Sequence, residues 1–324
     1  MFNIKLVLIN SILIVYYLSI DAKPIDEQLG DSSFNGTNWV VLCAGSSGWF
    51  GAGYSIQANV YHAYQFIRSN GIPDDHIIVI HTDDIAYNSY NPTPGQIIHS
   101  PNGTDVYHGV PKDYTGDDVN GYTLLGVLRG DPSLTRRGKK VINSGPNDHI
   151  FVFYVSHGVG DIILLPEYIY GEELVTTLKD MHQNKRYAKL VFYLEACFSG
   201  SMFLNKLPTN INVYAVTAAN SVEEGLECYY DEQRKIWLAG CFAYHWLHNS
   251  EHSDITKLSF DDQYKYIYHQ TITQINITDG KVEQHPQQFG DLSIAKLPVS
   301  QFFGSKKSMA TDNLNEQIVN DYNN

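Results

Sequence analysis

The residues best placed to do chemistry are an imidazole and a thiol, each following a run of apolar residues. His149-Ile-Phe-Val-Phe-Tyr-Val155 runs into Ser156-His157-Gly158, and Lys189-Leu-Val-Phe-Tyr-Leu194 runs into Glu195-Ala196-Cys197-Phe198-Ser199-Gly200. Both runs read as buried strands of a parallel sheet, whose ligands bind in the crevice beyond the carboxyl ends of the strands. Two neighbouring strands of this kind deliver His157 and Cys197 to one crevice. A free thiol with a pKa near ~8.5 is protonated at mildly acidic pH, so it attacks a carbonyl only beside a base or an imidazolium. Small residues at Ala196, Ser199 and Gly200 leave room for a substrate, and the main-chain N–H groups of Gly158 and Cys197 would cradle a developing oxyanion. Spacing alone nonetheless favours a buried structural cysteine, because a chain with four Cys and 13 His produces such pairs by accident.

Other candidate groups carry less. The turn Gly45-Ser-Ser-Gly48-Trp-Phe-Gly51-Ala-Gly53 lies between a strand and a helix but lacks the Gly-x-Gly-x-x-Gly spacing of a pyrophosphate turn. It reads as a loop over the sheet edge. Asp83-Asp84 and Asp117-Asp118 have no metal-type His or third oxygen at useful spacing, so loop or helix-cap roles are expected of them. His245-Trp-Leu-His248 puts two imidazoles one helical turn apart without a third ligand. Arg129-Gly-Asp131 reads as the end of a helix. No metal site and no cofactor is expected.

The elements that must position the dyad alternate along the chain. Strands are expected at 38–44, 76–81, 149–155, 189–194 and 212–217, and helices at 57–70, 118–128, 171–186, 237–248 and 260–277. Residues 83–117 are rich in Asn, Pro and Gly and read as loop. Non-alternating strands separated by helices define an α/β fold with a mostly parallel central sheet and helices on both faces. At 43% hydrophobic and 18% charged, the 324 residues suffice for a packed core and exclude intrinsic disorder. A net charge of −13 argues against nucleic acid as a partner.

The first residues point to a compartment. Met1 to Ala22, with Lys5, the apolar run Leu6 to Ile20 and then Ile20-Asp21-Ala22, reads as a signal peptide cleaved near Ala22. No stable membrane insertion is expected after cleavage, since the run falls short of the roughly 20 residues a spanning helix needs. Sequons at Asn35, Asn102 and Asn276 fit secretory traffic. Cys43 is mid-strand and expected in the core, whereas Cys228 and Cys241 could pair in an oxidising compartment, a matter of Cα separation that spacing leaves open.

Longer blocks decide the reading. Asp83-Asp-Ile-Ala-Tyr-Asn88, Asn91-Pro-Thr-Pro-Gly95, Pro101-Asn-Gly-Thr-Asp-Val-Tyr107, Ser144-Gly-Pro-Asn-Asp-His-Ile150, Phe192-Tyr-Leu-Glu-Ala-Cys197, Ser199-Gly-Ser-Met202 and Tyr214-Ala-Val-Thr-Ala-Ala-Asn220 together resemble the legumain family (asparaginyl endopeptidase, haemoglobinase; peptidase family C13). The resemblance spans roughly residues 38–295. It implies a caspase-like fold and hydrolysis of peptide bonds in protein substrates. It places His157 as base, Cys197 as nucleophile, and Gly158 beside Cys197 in the oxyanion hole. It divides the chain into a signal peptide at 1–22, a polar segment at 23–37, a peptidase domain at 38–300 and a polar tail at 301–324, with the family's helical C-terminal prodomain absent. The implied address is the secretory pathway, leading to a lysosome-like or vacuole-like compartment or to secretion.

The departures from the family pattern fall on the pocket. Members follow Gly-Trp with an aromatic residue, Asn and Tyr, then Arg-His-Gln-Ala-Asp; here the stretch is Gly48-Trp-Phe-Gly-Ala-Gly-Tyr54-Ser-Ile-Gln57-Ala-Asn59, two residues longer. The Asn that orients the catalytic histidine aligns nearest Gly53, and the substrate-gripping Arg and His fall on Ser55 and Ile56. Ser156 replaces the usual Asp, Phe198 the usual Glu, and a pocket Asp expected after Leu238 gives way to Ala239-Gly240. Glu195 is kept. An amide side chain needs a donor fork opposite an acceptor carboxylate, and only the acceptor survives. The expectation is a cysteine endopeptidase with substrate contacts at Glu195, Ser55 and Ile56. Its preference for Asn at P1, the residue before the scissile bond, is expected to be weakened or replaced by one for an apolar or basic residue. Two other readings remain: a catalytically impaired homologue acting as a binding or decoy protein, and a transamidase of the same clan, against which the legumain-type blocks weigh.

Overall fold

The computed structural model describes residues 34–165, 167–272, 275–276, 280–281 and 283–305. The signal peptide, most of the polar segment at 23–37 and the tail beyond residue 305 lie outside these residues.

In chain order the first elements are β1 (Asn38–Ala44), α1 (Gly53–Ser69), β2 (Ile77–Ile80), α2 (Gly121–Arg129) and α3 (Pro132–Arg136). Then come β3 (His149–Val155), β4 (His157–Val159), β5 (Ile162–Leu164), β6 (Ile169–Tyr170), α4 (Gly171–Gln183), β7 (Lys189–Glu195) and β8 (Val213–Thr217). The last are β9 (Glu227–Asp231), β10 (Ile236–Gly240), α5 (Cys241–Glu251), α6 (Phe260–Thr271), β11 (Ile275–Asn276), β12 (Gly280–Lys281), β13 (Gln287–Gly290) and α7 (Ser300–Phe303). The central sheet has the order β13-β8-β7-β3-β1-β2, parallel except for the edge strand β13.

The strands lack alternation because both faces of the sheet are covered. Val40, Leu42, Phe151, Phe153, Val191 and Tyr193 enter one core with side chains of α1, α5, α6 and α7. Their neighbours Val41, Cys43, Ile150, Val152, Leu190 and Phe192 enter a second core with α2 and α4. Cys43 is fully buried there, as its mid-strand position implies. Helix α2 starts where the Asn120 side chain accepts from the Thr123 N–H and stops at Gly130, whose φ of 68° few other residues tolerate. Asp131 then caps α3, so Arg129-Gly-Asp131 is a helix junction.

Four expectations change. The helix expected at 260–277 ends at Thr271, and Ile275–Asn276 is the strand β11. Helix α1 begins at Gly53, four residues before Gln57. The expected helix at 237–248 is two elements: Ile236–Gly240 forms a hairpin strand with β9, and only Cys241 onward is helical. A short apolar run such as Trp237-Leu-Ala fits either period, and pairing with β9 decides it. Residues 301–303, expected in the tail, close the core: Phe302 and Phe303 are buried, and Phe303 packs on Phe151 and Trp246.

Trp246 is the hub of the first core, touching Phe66, Phe151, Phe153, Tyr193 and Phe303 with no exposure. Its truncation in Trp246→Ala is expected to cost about 3–5 kcal/mol, read as a lower urea midpoint.

Candidate active site

Strands β3 and β7 pair in register, Val155 opposite Glu195, so both chains leave the sheet at one level. Two residues on stand His157 and Cys197. The two exits touch: the Ser156 N–H donates to the Glu195 carbonyl at 3.0 Å. A Cβ on Gly158 would overlap the Cys197 carbonyl oxygen, so only glycine fits there. Cys197 is a free, half-buried thiol whose sulfur receives the Gly225 N–H at 3.4 Å. Burial raises its pKa, the Gly225 N–H and its own N–H oppose the rise, and Glu224 and Glu227 add to it. A thiolate at this position therefore needs a base close by. Phe198 turns the chain away with φ 56°, a left-handed conformation that costs a bulky residue about 1–2 kcal/mol, and its N–H is held by the Glu223 carbonyl at 2.7 Å.

His157 lines a cavity of about 250 Å³ together with Gly45, Ser46, Ser47, Thr82 and Leu164. Its ring has no hydrogen-bond partner among the described residues. The position nearest the family's orienting Asn holds no side chain, since a Cβ on Gly53 would overlap the carbonyl oxygens of Ser47 and Gly48. Gly48, Gly51 and Ala52 all have positive φ and coil the lengthened loop tightly. Asp84 anchors it, accepting from the Gly48 N–H and from Gln57 Nε2, both at 2.7 Å. Ser156 is buried, and its hydroxyl is shared between the Gly45 and Leu164 carbonyls, tying the loop to the β4–β5 hairpin.

Glu195 points into the junction of α1, β10 and α5. Its Oε2 accepts from Asn59 Nδ2 at 3.1 Å and its Oε1 from the Ala243 N–H at 3.2 Å, in the first turn of α5. The carboxylate fills the space that a side chain at Gly240 would need. Burial raises its pKa to about 8, Glu227 adds to the rise, and the Ala243 and Phe242 N–H groups oppose it. Asn59 is held in turn, its Oδ1 accepting from the Gly240 N–H at 3.1 Å and from His99 Nε2 at 2.7 Å. Glu227 lies across from Gly240 in the β9–β10 pairing. Burial raises its carboxyl to about 7, opposed by Ser55. The Cys228–Cys241 disulfide, with Cα atoms 5.0 Å apart, ties this hairpin to the start of α5.

Of the substrate contacts expected from the sequence, Glu195 and Ser55 both lie beside Glu227 and both are buried, and Ile56 lies in the first core at 3% exposure. The structure adds Asn59, Gly225 and Glu227 to these. Asn59 follows Ser55 by four residues on α1 and is legible as its neighbour on the helix surface; nothing local marks Gly225 or Glu227. Among the described residues, no group of three His, Cys, Asp or Glu could hold a metal. Asp118 pairs with Arg137 and Lys139, and Asp83 with Lys112. His245 is buried with neither ring nitrogen bonded, and burial lowers its pKa to about 4.

A parallel sheet flanked by helices, with Cys and His at adjacent strand ends, defines a caspase-like α/β architecture. Caspase-1 from Spodoptera frugiperda superposes with a TM-score of 0.53 at 8% identity, over 85% of this chain and 94% of that one, a likeness of fold alone. The Peptidase C13 family model matches residues 38–305, and the chain belongs to that family. It is 45% identical to legumain of Homo sapiens over 91% of this chain and 65% of that protein. It is 40% identical to hemoglobinase of Schistosoma mansoni, over 97% of this chain and 69% of the relative. Vacuolar-processing enzyme of Vicia sativa is 40% identical over 89% and 58%. The chain thus spans about two thirds of the length of these curated relatives.

The raised carboxyl of Glu227 has a thermodynamic consequence. Between pH ~4.3 and about 7 the native protein keeps a proton that the unfolded chain has released, so this group's contribution to stability is full below that window and lost as pH rises through it. Glu227→Gln is therefore expected to unfold at a higher temperature than the unsubstituted protein at pH 8, by roughly 1–3 kcal/mol in stability, and to match it at pH 4.

Proposed function

We propose that the chain is a cysteine endopeptidase that hydrolyses peptide bonds in protein substrates. The observation that carries this is the free, half-buried Cys197 thiol at the end of β7, level with His157 at the end of β3, in a member of the C13 family. In this reading His157 takes the thiol proton as sulfur attacks the scissile carbonyl, then delivers it to the leaving amine. The N–H groups of Gly158 and Cys197 stabilise the oxyanion, and that of Gly225, already against the sulfur, stabilises the thiolate.

The pocket is not that of a strict Asn reader. Among the described residues no basic fork faces Glu195, and Ser55 and Ile56 stand where the family pattern has Arg and His. We therefore read the Asn preference as weakened or replaced. A second reading, a catalytically impaired homologue that binds rather than cuts, is favoured by the imidazole lacking a side-chain partner among the described residues and by the absence of space for one at Gly53. The compartment we infer is an oxidising secretory one leading to a lysosome-like or vacuole-like destination or to secretion. The Cys228–Cys241 bridge supports it, as do exposed sequons at Asn35 and Asn102; the side chain of Asn276 lies outside the described residues. No described helix is long and apolar enough to cross a membrane.

Peptides varied at P1 and incubated at pH 4 to 7 test the assignment. Hydrolysis that disappears in Cys197→Ala and falls by about a hundredfold or more in His157→Ala is the expected result. Binding without turnover of any peptide would establish the impaired reading, and transfer to an added amine without hydrolysis would reassign the chain as a transamidase.

A further inference from the structure

Two acidic side chains meet behind Cys197 in a way that no motif announces. Glu195 and Glu227 both come to Gly240: the first occupies the room left by its missing side chain, and the second is its cross-strand neighbour. Glu195 is satisfied by Asn59 and by the N-terminal turn of α5. Glu227 is not. Its Oε2 is sealed from solvent and has no hydrogen-bond partner among the described residues, and the Ser55 hydroxyl, the group that eases its charge, is committed to the Ala52 carbonyl at 3.0 Å. A buried carboxylate oxygen without a partner is costly, and two carboxylates side by side oppose each other's ionisation.

No Lys or Arg of the described residues compensates the pair. Arg234, on the turn of the same hairpin, is already bonded to Asp231 at 3.2 Å and to Thr93 at 3.0 Å. Glu227 is also within electrostatic reach of the reacting sulfur, since it acts on the Cys197 thiol and the Gly225 N–H two residues earlier touches it.

We propose that Glu227, backed by Glu195, makes this pocket a receptor for a cationic side chain, so that the bond cut is the one following Lys or Arg rather than Asn. The inference rests on the peptidase reading above and names its substrate class. An ammonium or guanidinium entering the pocket supplies the donor that Glu227 Oε2 lacks and relieves the repulsion between the carboxylates. An Asn amide offers Glu227 only a neutral donor and presents its carbonyl oxygen to a wall of acceptors. The same placement accounts for keeping a residue whose charge destabilises the fold, a common trade at functional sites.

Peptides identical except for Lys, Arg, Asn or Ala at P1 decide the matter at pH 7. The protein is expected to process Lys and Arg peptides with kcat/KM about tenfold or more above the Asn peptide, the ratio one charge-assisted hydrogen bond supplies. Glu227→Gln, which keeps the side-chain shape, should lower Lys and Arg kcat/KM about ten- to a hundredfold, mainly through KM, while Glu227→Asp restores part of the preference. Better cleavage after Asn than after Lys, or a Lys-to-Asn ratio unmoved in Glu227→Gln, overturns the inference and leaves the peptidase reading intact. If no peptide is cut by protein whose Cys197 still alkylates stoichiometrically, both readings fall.

Discussion

The pairing of β3 with β7 is the constraint on which the rest depends. Two fully buried parallel strands held in one register must end at one level, and the segments leaving them must meet. The contact of Gly158 with the Cys197 carbonyl is the immediate result. A slip of the pairing by one residue would turn every inward side chain to the other core, which makes the register costly to change and the contact of Gly158 with Cys197 correspondingly rigid.

Around that fixed pair, the pocket is assembled from parts that are loosely tied to one another in sequence. Asn59 reaches Glu195 across 136 residues and Gly240 across 181. The disulfide holds the β9–β10 hairpin to α5 and thereby fixes where Glu227 stands. Charge here is managed by burial: the start of α5 stabilises Glu195, as helix N-termini do for anions, while Glu227 has only the weaker help of Ser55. The result is a junction short of donors close to a sulfur that needs a base.

The lengthened loop between β1 and α1 shows how an insertion is absorbed. Three left-handed residues and the Asp84 anchor coil it so tightly that Gly53 is sealed against carbonyls. The imidazole of His157 consequently lines a small cavity without a side-chain amide to orient it among the described residues. Ser156 holds two of the lining residues, Gly45 and Leu164, together by bridging the loop and the β4–β5 hairpin.

The amino-acid sequence by itself determined the five parallel strands of the central sheet and the two residues at the strand ends, because buried strands and their flanking glycines are written in contiguous residues. It also determined the family. It left Trp237–Gly240 open to the wrong period, since a four-residue apolar run carries none of its own. It ended the domain before Phe302 and Phe303, whose burial depends on partners as distant as Phe151. Only the tertiary structure decided the character of the pocket. Glu227 looks like any loop carboxylate until the hairpin folds it opposite Gly240, and Ile56 looks like a pocket residue until α1 turns it into the core. Both outcomes arise from contacts between residues far apart in the chain, and local pattern holds no record of those.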